Sequence, residues 1–223
     1  MTYNPSLYRI GYLTRLPLRL PYPAVVTAIQ RIIGRLPRDT NLVVDFTGVG
    51  RGIYDMLVDA GLSPTGVAMT GGIEVHRNGN IATVPKSTLV SKLVARLHSG
   101  ELVVHRDLSD WPALRRELIN FRAEVTAAGT ETWNARSGQH DDLVIATALC
   151  IWALGDDAMP YGGLLRYYAK EAGHGGDERF CVGVDLGQSV DPTAICVMSR
   201  ISNPGYLEVK SPEFRQGLGP QSA

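Results

Sequence analysis

The sequence predicts an α/β domain built on a mixed sheet, and three observations carry this. Short apolar runs alternate with amphipathic helical stripes along most of the chain. "NLVVDF" (41–46) is a continuous apolar strand, the kind that helices cover on both faces. "HDDLVIATALCIWAL" (140–154) is apolar almost throughout, as a helix buried in the middle of a fold must be.

Taken in order, "LYRIGYLTRL" (7–16) has the loose alternation and aromatic content of a strand. Val25, Val26, Ile29, Ile32 and Ile33 then form one helical stripe over 22–36, which Gly34 and Pro37 help to end. After strand 41–46 comes the turn "TGVGRG", the helix "IYDMLVDAG" and a strand at 65–70. Residues 71–84 contain Asn-Gly and predict a polar hairpin projecting from the core. A helix over 86–100, a strand over 101–105 and a helix over 110–126 follow, the last with Pro112 near its start. "TETWNARSGQ" reads as a loop before the helix 140–154. Residues 155–179 form a Gly-rich connector with one helical turn at "LLRYYAKEA". Two strands, 180–186 and 193–199, close the fold, and the proline- and glycine-bearing tail 201–223 is expected to be flexible. No internal repeat is visible.

The 223 residues suffice for one well-buried domain or two very small ones. Lys plus Arg and Asp plus Glu are 22 each, so no global cationic field draws in nucleic acid. The balance hides one asymmetry: residues 1–38 hold Arg9, Arg15, Arg19, Arg31, Arg35 and Arg38 and no acid. Five prolines and a single serine make this a folded segment with a basic face rather than a transit peptide. Cys150, Cys181 and Cys196 lack C-x-x-C spacing and sit in apolar runs, which predicts reduced, buried thiols. The run 143–154 is too short to span a bilayer, and no signal peptide is visible, so a soluble intracellular protein is expected.

Three carboxylate sites stand out because each starts or ends a buried element. Asp45 follows "LVV", Asp185 follows "CVGV", and Asp141 with Asp142 opens the most apolar helix. Singly, each reads as a strand-end cap, a helix N-cap or a surface salt bridge. Together they read differently, because acids at buried strand tips are costly unless paired or metal-bound. Such a set suits Mg²⁺ or Mn²⁺, hard cations that take oxygen ligands. Two ions about 4 Å apart can activate water and stabilise the leaving oxygen of a phosphodiester.

Competing motifs fail. "GVGRG" lacks the phosphate-loop Lys-[Ser/Thr] and the dinucleotide glycine fingerprint, so neither an ATPase motor nor a nucleotide cofactor is expected. The five histidines show no zinc spacing.

The residues resemble the nuclease domain of phage large terminases, which cut concatemeric DNA during genome packaging and have an RNase H-like fold. "VGVDLGQSVDPTAI", "LVVDFTGVG" and "GQHDDLVIATALCIW" carry the likeness, with support from "VPKSTLVSKL" and "PYGGLLRYYAKEA". It covers roughly residues 7–200. The resemblance implies that Asp185 bridges two metals, Asp45 binds one, and Asp142 or Asp141 binds the other. His140 would stand behind these ligands, and His76, Arg77, Lys86 and Arg51 would contact phosphate. It further implies two Mg²⁺ or Mn²⁺ ions and double-stranded DNA as substrate. Implied partners are a terminase ATPase domain, the small terminase and the portal. The implied setting is the cytoplasm of an infected bacterial host, with no membrane.

The chain departs from the family in order, because the Asp185 motif normally comes first. The sequence therefore predicts a circularly permuted RNase H-like sheet with helices on both faces. Residues 1–154 would supply the later elements, 155–179 a connector and 180–200 the first two strands of one domain. About 25 connector residues reach up to roughly 80 Å, enough to return Asp185 to its own site; the strand pair could equally serve a neighbouring molecule as a domain swap. Two rivals share these features: another RNase H-like enzyme, such as a junction resolvase or hybrid nuclease, and a non-catalytic docking module of a packaging machine.

Overall fold

A computed structural model describes residues 6–48, 50–125, 131–134, 140–155, 178–187 and 191–202. The connector between 156 and 177, with its expected helical turn, and the tail from 203 onward lie outside these residues. The elements are β1 (Ser6–Arg15), α1 (Tyr22–Ile33), β2 (Asn41–Asp45), α2 (Gly50–Asp59), β3 (Pro64–Thr70), β4 (His76–Asn78), β5 (Ile81–Pro85) and α3 (Lys86–His98). Then come β6 (Leu102–Val104), α4 (Trp111–Asn120), β7 (Arg122–Val125), β8 (Glu131–Asn134), α5 (Asp142–Leu154), β9 (Glu178–Asp185) and β10 (Ala194–Ser202).

Eight strands form one mixed sheet in the order β4-β5-β3-β2-β9-β10-β1-β6. At its centre β9, β10 and β1 run antiparallel in succession, and β2 then β3 continue parallel to β9 on the other side. This is the mixed α/β sheet expected. The last two strands in sequence occupy the middle of the sheet, joining elements from both ends of the chain.

Helices cover both faces because strand residues alternate their direction. Val44, Val182, Val184, Ile195 and Val197 face α1 and α2, whose Val25, Ile29, Ile53 and Leu57 are buried against them. Val43, Cys181, Cys196 and Met198 face the opposite layer of α3, α4 and α5. Each fully buried Leu, Ile or Val contributes roughly 1.5–3 kcal/mol. Every residue of α5 is buried, as its unbroken apolar sequence requires. Its C-terminal carbonyl, Leu154 O, accepts hydrogen bonds from Arg179 at 2.6 Å and Arg200 at 2.7 Å. Two guanidiniums at the negative end of the helix dipole thus tie α5 to β9 and β10.

Gly183 sets how closely α5 lies on the sheet. A Cβ there would meet Ala146 O at 2.2 Å and Cys150 Sγ at 2.8 Å. The close approach places the Cys150 thiol 3.4 Å from Cys196 O, and all three cysteines are buried and unlinked. Burial pushes the Cys150 and Cys196 thiols well above the ordinary range, so both stay protonated.

Three expectations need correction. The helix expected over 110–126 stops at Asn120, because Phe121 turns extended and packs on the core. The described segments after it, including part of the expected loop 130–139, pair antiparallel as β7 and β8. The 71–84 hairpin does not simply project: residues 71–76 and 78–80 are exposed, but β5 lies in the sheet beside β3 with Ala82 and Val84 buried. In each case a long-range pairing overrides the local pattern. Among the described residues no helix is long and apolar enough to cross a membrane.

Candidate metal centre

Asp45 and Asp185 end β2 and β9, and the register pairs Val44 with Val184, so the two acids stand side by side one residue further on. They lie at the carboxyl edge of parallel strands, where open α/β sheets place their sites. Asp45 is 8% exposed, and its Oδ1 accepts the Thr47 N–H at 2.8 Å, which fixes the side chain. Gly50 lets α2 start against this strand end, since a Cβ there would lie 2.2 Å from Asp45 O.

The same edge receives the N-terminus of α5. The close packing at Gly183 brings Asp142, 5% exposed, towards the strand tips. Asp141 occupies the N-cap position but makes no capping hydrogen bond; its Oδ2 instead takes Lys86 Nζ at 2.9 Å. Asp142 Oδ2 is buried and makes no hydrogen bond among the described residues. Around that oxygen stand Arg15 Nη2 at 3.4 Å and His140 Nδ1 at 3.6 Å, and His140 is 3.2 Å from Asp191. His140, Asp142 and Asp191 bring one potential ligand atom each within 4.8 Å of one another.

The electrostatics follow from the packing. Burial, then the charges of Asp45, Asp142 and Asp141, push the Asp185 carboxyl well above the usual range. Asp45 is raised by burial, against hydrogen bonds from Thr47 and Asp185. Two carboxyls side by side resist being ionised together when no cation is present. Asp142 is raised to about 6, by burial first and by Asp141 and Asp191, while Arg15 and His140 oppose it. Buried acids that repel one another, one with an orphaned oxygen, make an all-oxygen donor set that fits a hard divalent cation.

The structure thus gathers Asp45, Asp185, Asp141, Asp142, His140 and Lys86 from the expected list. The remaining expected residues stand elsewhere. Arg77 lies over the Trp152 ring at 4.7 Å, on the α5 side of β4 and away from the cluster. His76 is exposed beside Glu74 at 3.5 Å. Arg51 stays near the Asp45 tip, stacked 5.3 Å from the Phe46 ring centre. The basic face expected over 1–38 is divided. Arg15 ends β1 at the acidic edge, whereas Arg31, Arg35 and Arg38 are exposed around the far end of α1.

The sequence did not single out Asp191 or Glu117, and it offered Arg15 only as one arginine of a basic face. Asp191 was visible in "GQSVDPTAI", six residues after Asp185. Glu117 had no signal, being one acid among the charges of "LRRELIN". Beside Asp191 a cavity of about 300 Å³ is lined by Arg19, Tyr22, Gly187 and Thr193 among others. Arg19 holds a left-handed φ of 61°, an unusual backbone for a residue with a side chain.

No family model matches the chain, and no curated protein does. Among solved structures, the fold is similar to the large terminase nuclease from thermophilic phage G20c with bound cobalt. The identity is 23%, coverage 65% of this chain and 79% of that one, and the TM-score 0.45. A magnesium-bound form of the same nuclease gives the same values. The large terminase nuclease domain of Thermus phage P74-26 shares 21% identity over 68% of this chain and 82% of that one, with a TM-score of 0.46.

Proposed function

We propose that the chain is a metal-dependent endonuclease domain that cuts double-stranded DNA during phage genome packaging. The observation that carries this reading is the clustered set Asp45, Asp185 and Asp142, in which Asp45 and Asp142 are buried, Asp185 is held among like charges, and Asp142 Oδ2 makes no hydrogen bond among the described residues. These three would hold divalent ions, Mg²⁺ or Mn²⁺ and two in number, with Asp185 between the other two. Bound there, such ions would supply Lewis acidity to a phosphodiester and lower the pKa of water.

The chain's own residues would do the rest. Asp142 is the principal α5 ligand, because the Asp141 carboxylate is held by Lys86. Thr47 and the Gly183 contact fix Asp45 and Asp142 before substrate arrives, so little reorganisation is needed. His140, in reach of Asp142 and Asp191, is placed to orient them or to take a proton. Arg19 and the adjoining cavity would receive the strand beside the cleaved phosphate, and Arg51 the phosphates on the other side.

The strand order fits a circular permutation, in which 180–200 supplies the two strands that ordinarily open the domain and 155–179 makes the return. The site then belongs to one domain spanning 1–200. An ATPase domain, small terminase and portal would be its partners in the host cytoplasm.

The test is cleavage of supercoiled plasmid with Mn²⁺, Mg²⁺ or EDTA, alongside a four-way junction and an RNA–DNA hybrid. Metal-dependent linearisation, lost in Asp185→Asn, is expected. Cleavage confined to the junction or the hybrid would assign the chain to another RNase H-like activity. No cleavage by a folded protein with any metal would point to a docking module.

A further inference from the structure

We infer that Glu117 is a positioning residue for this metal centre: by holding the Arg15 guanidinium, it keeps Asp142 available to a divalent cation. The inference rests on the metal-site reading above. Glu117 lies on α4 and is 7% exposed. One of its oxygens pairs with Arg15 Nη2, and the other accepts the Val144 N–H of the first turn of α5 at 3.0 Å. Both oxygens are therefore engaged, one by the arginine and one by the helix that carries Asp142.

The same Nη2 stands 3.4 Å from Asp142 Oδ2, an oxygen that makes no hydrogen bond among the described residues. A guanidinium this close to a buried carboxylate ordinarily closes on it, often through two parallel hydrogen bonds. Here it does not, because Glu117 competes for the same nitrogen and makes the shorter contact. The backbone N–H of Arg15 is also held, by Asp110 Oδ2 at 3.0 Å, so the arginine pivots about a fixed point. Burying a carboxylate at α4 is costly, and the ion pair alone rarely offsets that cost. Removing the charge of Glu117 would leave Arg15 with Asp142 as its nearest acid among the described residues. The resulting pair would neutralise Asp142 and set a positive charge where a cation has to bind.

Glu117→Gln keeps the size of the side chain and an acceptor for Val144 N–H, and removes only the charge. Mn²⁺ affinity is measured at pH 8 by the spin-resonance signal of unbound Mn²⁺, with thermal unfolding in EDTA as the check on folding. E117Q is expected to bind Mn²⁺ about tenfold more weakly or worse, the scale seen for residues that orient metal ligands. The double variant E117Q/R15Q is expected to recover the parent's affinity, which a merely structural role for Glu117 would not produce. Arg15→Gln alone is expected to bind at least as tightly as the parent.

Parent-like binding by folded E117Q, or a double variant as weak as E117Q, overturns the inference. A tenfold loss in Arg15→Gln alone contradicts it even where E117Q fails to fold. A parent that binds no Mn²⁺ removes the metal-site reading itself, and this inference with it.

Discussion

Asp45 and Asp185 end two neighbouring parallel strands in register, so their carboxyls stand side by side at one edge of the sheet, where burial and the Asp45 charge push the Asp185 carboxyl well above the usual range. The adjacency is made by strands from opposite ends of the sequence. It is also the source of the cluster's instability without a cation, and most of what can be measured follows from it.

Neutralising either acid should stabilise the metal-free protein. Asp185→Asn replaces a carboxyl that cannot ionise without repelling Asp45, Asp142 and Asp141. In EDTA we expect a gain of about 1–2 kcal/mol, or roughly 2–8 °C in Tm. Asp45→Asn should behave alike, since Asn can still accept the Thr47 N–H. The stabilisation that Mn²⁺ gives the parent should vanish in both variants. A lower Tm together with an intact Mn²⁺ shift would contradict the cluster's role.

Stability of the metal-free protein should fall as pH rises. Asp142 is raised to about 6 and Glu117 to about 7, both mainly by burial. The folded state therefore binds more protons than the unfolded one between about pH 4 and 7. The stability these groups contribute is fully present below their unfolded pKa values and is lost as pH climbs through the folded ones. Thermal unfolding in EDTA should show Tm dropping by about 5 °C or more from pH 5 to pH 8. Added Mn²⁺ should flatten that slope, because it favours the ionised ligands. A rising Tm over the same interval in EDTA would show that the acids are not strained.

The depth at which α5 sits should prove intolerant of a single methyl group. Gly183→Ala drives a Cβ to 2.2 Å from Ala146 O, a backbone atom that cannot turn aside. We expect a loss of about 3 kcal/mol or more and a weaker Mn²⁺ shift, since Asp142 would move off the strand tips. Gly52→Ala in α2 is the control, because nothing lies within 4 Å of the new Cβ. A helical Gly→Ala change there should be neutral or add up to about 1 kcal/mol. Equal effects at the two glycines, read by chemical denaturation, would remove the packing argument.

The sequence disclosed the sheet and the acids for one reason: both announce themselves locally. "CVGVD" and "LVVD" are apolar strands with an acid at the end, and α5 is too apolar to be anywhere but buried. What stayed hidden depended on pairing at a distance. Nothing in "RAEV" or "ETWN" says that these segments pair, and nothing in "LRRELIN" says that its glutamate reaches Arg15. The arginines of 1–38 read as one face in sequence, but the rise of α1 from one sheet edge to the other separates them. Lys86 and Arg77 looked alike as phosphate ligands; the structure gives one to Asp141 and the other to the Trp152 ring.

The most direct test of the central claim is a crystal soaked in Mn²⁺, with anomalous difference density recorded at the strand tips. Density is expected against the carboxylates of Asp45, Asp185 and Asp142, with Asp141 still on Lys86. Density confined to His140, Asp142 and Asp191, or none near Asp185, would contradict it.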